Sequence, residues 1–164
     1  MEFVEEVDVD GNVLAVHPKS KLKERMFLHK TSLVIPRAKN GSFIISKRAE
    51  NKHPYPGTWM CAIGGGVRAG ESFLEAAHRE TKEEAGVELD LVPVGSFKYE
   101  DEKFTSLFSI FTTVEPVELH DDLADKSEVQ FFKEMTMEEI RREIEENPTH
   151  FAPTFLAALK NFTP

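Results

Sequence analysis

The sequence predicts an α+β fold or a layered α/β/α sandwich, and three observations carry that expectation. Strand-like apolar runs open the chain, one amphipathic helix lies near the middle, and two further helices close the chain after more strands. Turn-forming Gly, Pro and Asn punctuate these segments. No internal repeat, low-complexity tract or linker interrupts the pattern, so one domain over residues 1–164 is expected.

Taken in order, Val4, Val7 and Val9 precede Asp10-Gly11-Asn12 and Val13, Leu14 and Val16 follow it. Residues 3–16 therefore read as a β-hairpin. The short basic segment Pro18 to Met26 reads as a helical turn. Thr31–Pro36 and Ser42–Lys47 are β-rich runs around Asn40-Gly41 and predict a second hairpin. Residues 49–57, AENKHPYPG, form a loop by their Pro and Gly content. Thr58–Ile63 predicts a short strand that Gly64-Gly65-Gly66 breaks. Glu71 to Ala85 predicts a helix with Phe73, Leu74, Ala77 and Thr81 as its apolar stripe and Gly86 as its C-cap.

Residues 91–99 and 104–115 predict strands joined by the charged turn Glu100–Lys103, and 117–127 is an acidic loop. Glu128–Lys133 is strand-like. Thr136 to Glu146 reads as a helix, with Thr136 as N-cap and Glu139 completing a capping box. Asn147-Pro148 ends it, and Phe155, Leu156 and Leu159 give a last helix over Phe151 to Phe162.

Composition narrows the function. Of 164 residues, 40% are hydrophobic and 30% charged, enough apolar content for one core, with thirteen Phe doing much of the packing. A formal net charge of −9 repels phosphate backbones, so no nucleic-acid partner is expected; it suits a protein that concentrates divalent cations. The single cysteine, Cys61, precludes an intramolecular disulfide and points to a reducing compartment. The N-terminus is acidic and lacks the apolar run of a signal peptide, and nothing approaches the ~18 apolar residues of a membrane span. A cytoplasmic protein with no membrane partner is expected.

Residues 65–87, GGVRAGESFLEAAHRETKEEAGV, carry the chemistry. On a helix Glu80, Glu83 and Glu84 stand at i, i+3 and i+4, within about 100° of arc. Three like charges on one face weaken a helix by a few tenths of a kcal/mol per pair. A hard divalent cation turns that repulsion into coordination; Mg2+ takes oxygen ligands and is often shared with substrate phosphates. Arg79, four residues before Glu83 and five before Glu84, has a planar fork able to orient a carboxylate. The glycines ahead of the helix let backbone groups approach a ligand closely.

This stretch resembles the Nudix box, G-x5-E-x7-R-E-U-x-E-E-x-G-U with U bulky and apolar. Here the matching residues are Gly65, Glu71, Arg79, Glu80, Thr81, Glu83, Glu84, Gly86 and Val87. All the fixed residues match, which chance would produce in roughly one chain per million at residue frequencies of ~5–10%. Thr81 departs from the Ile, Leu or Val usual there; its branched side chain fills a similar volume. The resemblance implies the Nudix fold, a mixed β-sheet between helices with the box as loop–helix–loop. It implies Mg2+ or Mn2+ held by Glu80, Glu83 and Glu84 with the Gly65 carbonyl, a structural role for Glu71 and Gly86, and an orienting role for Arg79. It further implies a pyrophosphohydrolase in which water attacks phosphorus of a nucleotide-like or other small X–diphosphate. Glu128, in EVQFF, is the candidate extra ligand or general base. Arg48, Lys52 and Arg68 are candidate phosphate contacts. The family also admits a homodimer.

Several segments, VDVDGNVLAVHPKS, LHK, Lys47-Arg48 and PYPGTW among them, also resemble the branch that includes type I isopentenyl diphosphate isomerase. The isomerase cysteine lies five residues after the Trp of the PGxW loop, where this chain has Gly64; the isomerase metal histidine falls at Gly66. Cys61 is only two residues past Trp59, and strand alternation turns it differently. His29 alone matches an isomerase metal ligand. The intact box favours the hydrolase over this isomerase alternative, and over a non-catalytic nucleotide-binding domain.

Overall fold

A computed structural model describes residues 1–164 and brings nine strands and three α-helices into layers. β1 (Phe3–Val7) and β2 (Val13–Pro18) form the N-terminal hairpin. A 3-10 turn at Lys19–Lys23 leads to β3 (His29–Val34). There follow β4 (Phe43–Arg48), β5 (Trp59–Cys61), β6 (Ile63–Gly66) and α1 (Phe73–Glu80). The chain continues through β7 (Leu91–Glu100), β8 (Thr105–Thr113), β9 (Val129–Met135), α2 (Met137–Glu146) and α3 (Pro153–Lys160).

One sheet has the order β6-β3-β8-β7 and the other β5-β4-β9. β3 pairs in parallel with β8, Thr31 opposite Phe108, while its other neighbour β6 runs antiparallel; the sheet is therefore mixed. Period-2 alternation buries both faces. Leu33, Ile45, Phe108 and Ile110 point into a cluster with Ile140 and Phe155 of α2 and α3. Val34, Ile44 and Phe111 point the other way, into a cluster with Ala77 of α1. Helices thus cover the strands on both sides, which is the α/β/α sandwich.

Three expectations need correction. The Asn40-Gly41 turn forms, with Asn40 at φ 60° and Gly41 at φ 72°. Its arms, however, enter different sheets: β3 pairs with β6 and β8, β4 with β5 and β9. Each arm is buried on both faces, so tertiary pairing overrides the local hairpin signal. Gly64-Gly65-Gly66 does not end a strand but lies within β6, opposite Leu33, Ser32 and Thr31. The predicted helix over Glu71 to Ala85 begins two residues later, at Phe73, and gives way at Thr81–Ala85 to a wider π-helical turn.

Candidate active site

The box helix is fixed at both ends. Ser72 Oγ accepts the Glu75 N–H at 3.0 Å, and Glu75 returns a carboxylate to the Ser72 N–H at 2.7 Å, a capping box. Ala76 and Ala77 face the sheet. Thr81 is fully buried and donates its hydroxyl to the Ala77 carbonyl at 2.7 Å, which lets a polar side chain occupy an apolar position. Gly86 closes the π turn at φ 71°, where a Cβ would press on the Leu123 carbonyl at 2.9 Å. π turns in helices are frequent at functional sites. Here the turn separates the three glutamates: Glu84 is 7% exposed, whereas the Glu83 side chain is 48% exposed.

Arg79 organises the site. It grips Glu71 through Nε at 2.8 Å and Nη2 at 2.9 Å, a bidentate fork. Nη2 also donates to the Gly66 carbonyl at 2.9 Å, and Nη1 donates to Glu80 at 2.7 Å. The contact to Glu83 is 3.4 Å. The fork therefore sits on Glu71 and Glu80, with Glu83 reached weakly; sequence spacing alone pointed it at Glu83 and Glu84. Glu71 also accepts the Arg68 N–H at 2.9 Å, which ties the loop before the helix to the helix itself.

Glu84 is the electrostatic anomaly. Burial raises its carboxyl well above the ordinary range, and the neighbouring Glu80 carboxylate raises it further, while the Gly64 N–H at 3.2 Å opposes. Burial also raises Glu80, with Arg79 opposing. A buried carboxylate beside a half-buried one is costly unless a cation shares them. A Cβ built at Gly65 would overlap the Glu80 carboxylate, so only glycine leaves that oxygen its place beside the strand. No three acidic, His or Cys side chains stand at metal-ligand spacing; arginines take up carboxylate oxygens instead. The donor set is all hard oxygen, and it fits a hard divalent cation such as Mg2+ or Mn2+.

A cavity of about 330 Å3 gathers these groups. Its lining includes Glu80, Glu83, Glu84 and Glu128, the cations Arg48, Lys52 and Arg68, and apolar Leu33, Met60, Ile63, Phe104 and Phe108. The structure thus brings every candidate ligand and phosphate contact to one cavity, while the supporting residues Arg79, Glu71 and Gly86 do not line it. Glu128 precedes β9 and its carboxylate meets Lys52 Nζ at 2.6 Å. Arg68 is engaged by Glu2, which also holds Lys19 at 3.0 Å. Arg48 is half-buried and makes no hydrogen bond to a carboxylate. Its guanidinium donates to the carbonyls of Pro54 at 2.8 Å and His53 at 3.3 Å, and burial lowers its pKa.

Sequence reading missed one contribution to this wall. Glu2 and Lys19 arrive with the N-terminal hairpin, far along the chain from the box, and no local motif marks them. Tyr55, of the PYPGTW segment, also lines the cavity and donates its hydroxyl to Asp101 at 2.5 Å, which anchors the loop. Cys61 does line the cavity, against the expectation from strand alternation, but burial pushes its thiol up and away from thiolate character. His29 also stands in the wall, its Nδ1 3.2 Å from the Phe27 carbonyl, and burial lowers its pKa. No helix is long and apolar enough to cross a membrane.

Comparison with known proteins agrees with the geometry. Residues 27–155 match the model of the NUDIX domain. An uncharacterized Nudix hydrolase of Yersinia pestis is 30% identical over 103 residues, 62% of this chain and 57% of that one. YfcD of Salmonella typhi, an uncharacterized Nudix hydrolase, is 30% identical over 161 residues, 96% of this chain and 83% of that one. An isopentenyl-diphosphate Delta-isomerase of Serratia proteamaculans is 32% identical over 94 residues, 57% of this chain and 52% of that one. The crystal structure of DR0079 from Deinococcus radiodurans superposes with TM-score 0.79 at 22% identity, covering 96% of each chain. The NUDIX domain of Shewanella oneidensis NrtR, crystallised with ADP ribose, superposes with TM-score 0.62 at 14% identity over 88% of this chain and 96% of that one. With an intact box, the expected mixed sheet and this match over most of its length, the chain belongs to the NUDIX domain family of Nudix hydrolases.

Proposed function

We propose that the chain is a Mg2+- or Mn2+-dependent pyrophosphohydrolase that cleaves a small X–diphosphate, such as a nucleotide derivative, by attack of water on phosphorus. The observation that carries this reading is a cavity that gathers four glutamates, Glu84 buried and raised by Glu80, with three cationic side chains. A bound divalent cation would acidify water and neutralise charge on the phosphate oxygens. Glu80, Glu83 and Glu84, with the Gly65 carbonyl, would hold it. Arg79 positions Glu80 and, through Glu71, the loop that carries Arg68. Arg48, Lys52 and Arg68 bind the diphosphate, releasing Lys52 from Glu128 and Arg68 from Glu2. Glu128, once freed from Lys52, accepts a proton from the attacking water or serves as a further ligand.

The domain is taken to span 1–164, including the hairpin that lends Glu2 to the wall, in a cytoplasmic protein without nucleic-acid or membrane partners that can form a homodimer. The ADP ribose bound by the NrtR domain makes nucleoside-diphosphate-linked compounds the first substrates to try.

The position of Cys61 in the cavity wall and the similarity to an isomerase keep one rival in the test. Phosphate release is measured from nucleoside phosphates, nucleotide sugars, dinucleotides and ADP ribose, with Mg2+, Mn2+ or EDTA, and isopentenyl diphosphate is assayed for its isomer. Cleavage of one class, abolished by EDTA, is expected, with Cys61→Ala fully active. Conversion of isopentenyl diphosphate without any hydrolysis would replace the proposal by the isomerase.

A further inference from the structure

The chain has two tyrosines, and both donate to the same carboxylate. Tyr55, in the loop between β4 and β5, reaches Asp101 Oδ2 at 2.5 Å; Tyr99, near the end of β7, reaches the same oxygen at 2.8 Å. Asp101 Oδ1 accepts the backbone N–H groups of Lys103 at 2.7 Å and Phe104 at 2.8 Å, which closes the β7–β8 turn. The carboxylate thus has four donors, three from its own hairpin and one from a loop 46 residues away in sequence.

The two segments joined in this way both contribute to the cavity wall. The hairpin carries Phe104, which stands edge-on to His29 with ring centroids 5.2 Å apart. The loop carries Lys52, and its His53 and Pro54 carbonyls hold the Arg48 guanidinium. Tyr55 itself takes φ 62°, a left-handed conformation uncommon for an aromatic residue, and its carbonyl accepts the Thr58 hydroxyl at 2.8 Å. Such a backbone persists where its surroundings over-determine it.

We propose that Asp101 is a positioning residue: through Tyr55 it clamps the loop bearing Lys52 and the Arg48-holding carbonyls to the β7–β8 hairpin, and so sets the phosphate-binding end of the cavity. The proposal rests on the reading of Arg48 and Lys52 as phosphate contacts. It explains why the loop, which carries two cations' worth of phosphate recognition, keeps its shape with so few buried apolar side chains of its own.

The two tyrosines separate the clamp from the hairpin. Tyr55→Phe removes the bond between the loop and the hairpin, whereas Tyr99→Phe removes one bond inside the hairpin. Amide hydrogen exchange over residues 49–58 and calorimetric binding of Mg2+ with inorganic pyrophosphate are measured for the wild type and both variants. Tyr55→Phe is expected to speed exchange in 49–58 and to weaken pyrophosphate at least fivefold; Tyr99→Phe is expected to leave both within twofold of wild type. Wild-type exchange or wild-type affinity in Tyr55→Phe would overturn the clamp, as would equal losses in the two variants, which would indicate general weakening of the hairpin. Should the wild type itself fail to bind pyrophosphate, the phosphate-contact reading falls, and exchange in 49–58 alone decides whether the clamp exists.

Discussion

Glu84 is a buried carboxylate whose pKa is raised by its burial and by Glu80. A raised folded-state pKa means stability that is present below the unfolded value, about 4.3, and is lost as pH rises through the folded value. Metal-free protein at neutral pH therefore bears a penalty at this residue. Glu71 and Asp101, whose carboxyls are held low against burial by the hydrogen bonds they accept, act in the opposite sense as pH falls. Glu84→Gln is expected to raise the neutral-pH melting temperature of the metal-free protein by about 2–4 °C, the shift that ~1 kcal/mol gives at this size. It should also lower turnover by about 10²–10³. Melting curves from pH 4 to 8 check this; wild-type and variant curves that stay parallel across that range would remove Glu84 from the account. Gly65→Ala should push the Glu80 carboxylate aside and weaken apparent metal affinity tenfold or more, as read from Mg2+ and Mn2+ titrations of activity. That the box glutamates gather at one cavity was legible because it follows from a spacing along the chain. The partners of Arg79 were legible only in part: the bond to Glu71 needs eight residues of helix and loop to fold back, and sequence gives no measure of that approach.

At the level of elements, end signals read from sequence served well. Thr136 and Glu139 form the predicted capping box at the start of α2, and Thr136→Ala should cost about 1 kcal/mol in denaturant unfolding with no change in turnover. A loss of turnover there would tie α2 to the site in a way its position does not suggest. An equivalent box at Ser72 and Glu75 sets the start of α1 at Phe73, two residues past the expected Glu71. Pairing of strands was less legible than their existence. A turn such as Asn40-Gly41 specifies a reversal of the chain, but which strand each arm joins depends on the buried faces of both, and one partner of each arm lies 70 or more positions away. Three successive glycines read as a breaker because each lacks a side chain to pack; in β6 that lack is what opens the strand toward the Glu80 carboxylate.

At the scale of the whole molecule, a divalent cation held as proposed would couple to stability. If the carboxylate cluster binds a divalent cation in the folded state alone, Mg2+ at 100 times its dissociation constant stabilises the protein by about 2.7 kcal/mol, or roughly 5–10 °C in melting temperature. EDTA should reverse the shift, and Glu84→Gln should show little of it. Identical melting in Mg2+, Mn2+ and EDTA would contradict the metal assignment for the entire site. The acidic balance of the chain, −9 overall, works in the same direction, since each bound cation relieves some self-repulsion. The layered architecture was legible from the order of strands and helices. The cavity was legible only in part: Lys52 and PYPGTW marked the loop after β4, but its wall also takes in the N-terminal hairpin and the β7–β8 turn, which carry no local mark of that shared task.

The parallel register between β3 and β8 has a consequence for biosynthesis. Residues 29–34 must wait for residues 106–111 before their second neighbour exists. As the chain leaves the ribosome, β3, β6 and the box helix can meet first, since Thr31 and Gly66 are close in sequence. For a time this nascent half presents one edge of β3 with its backbone groups unpaired, the kind of surface on which emerging chains associate wrongly. Along the chain, completion of the box therefore precedes completion of the sheet that supports it.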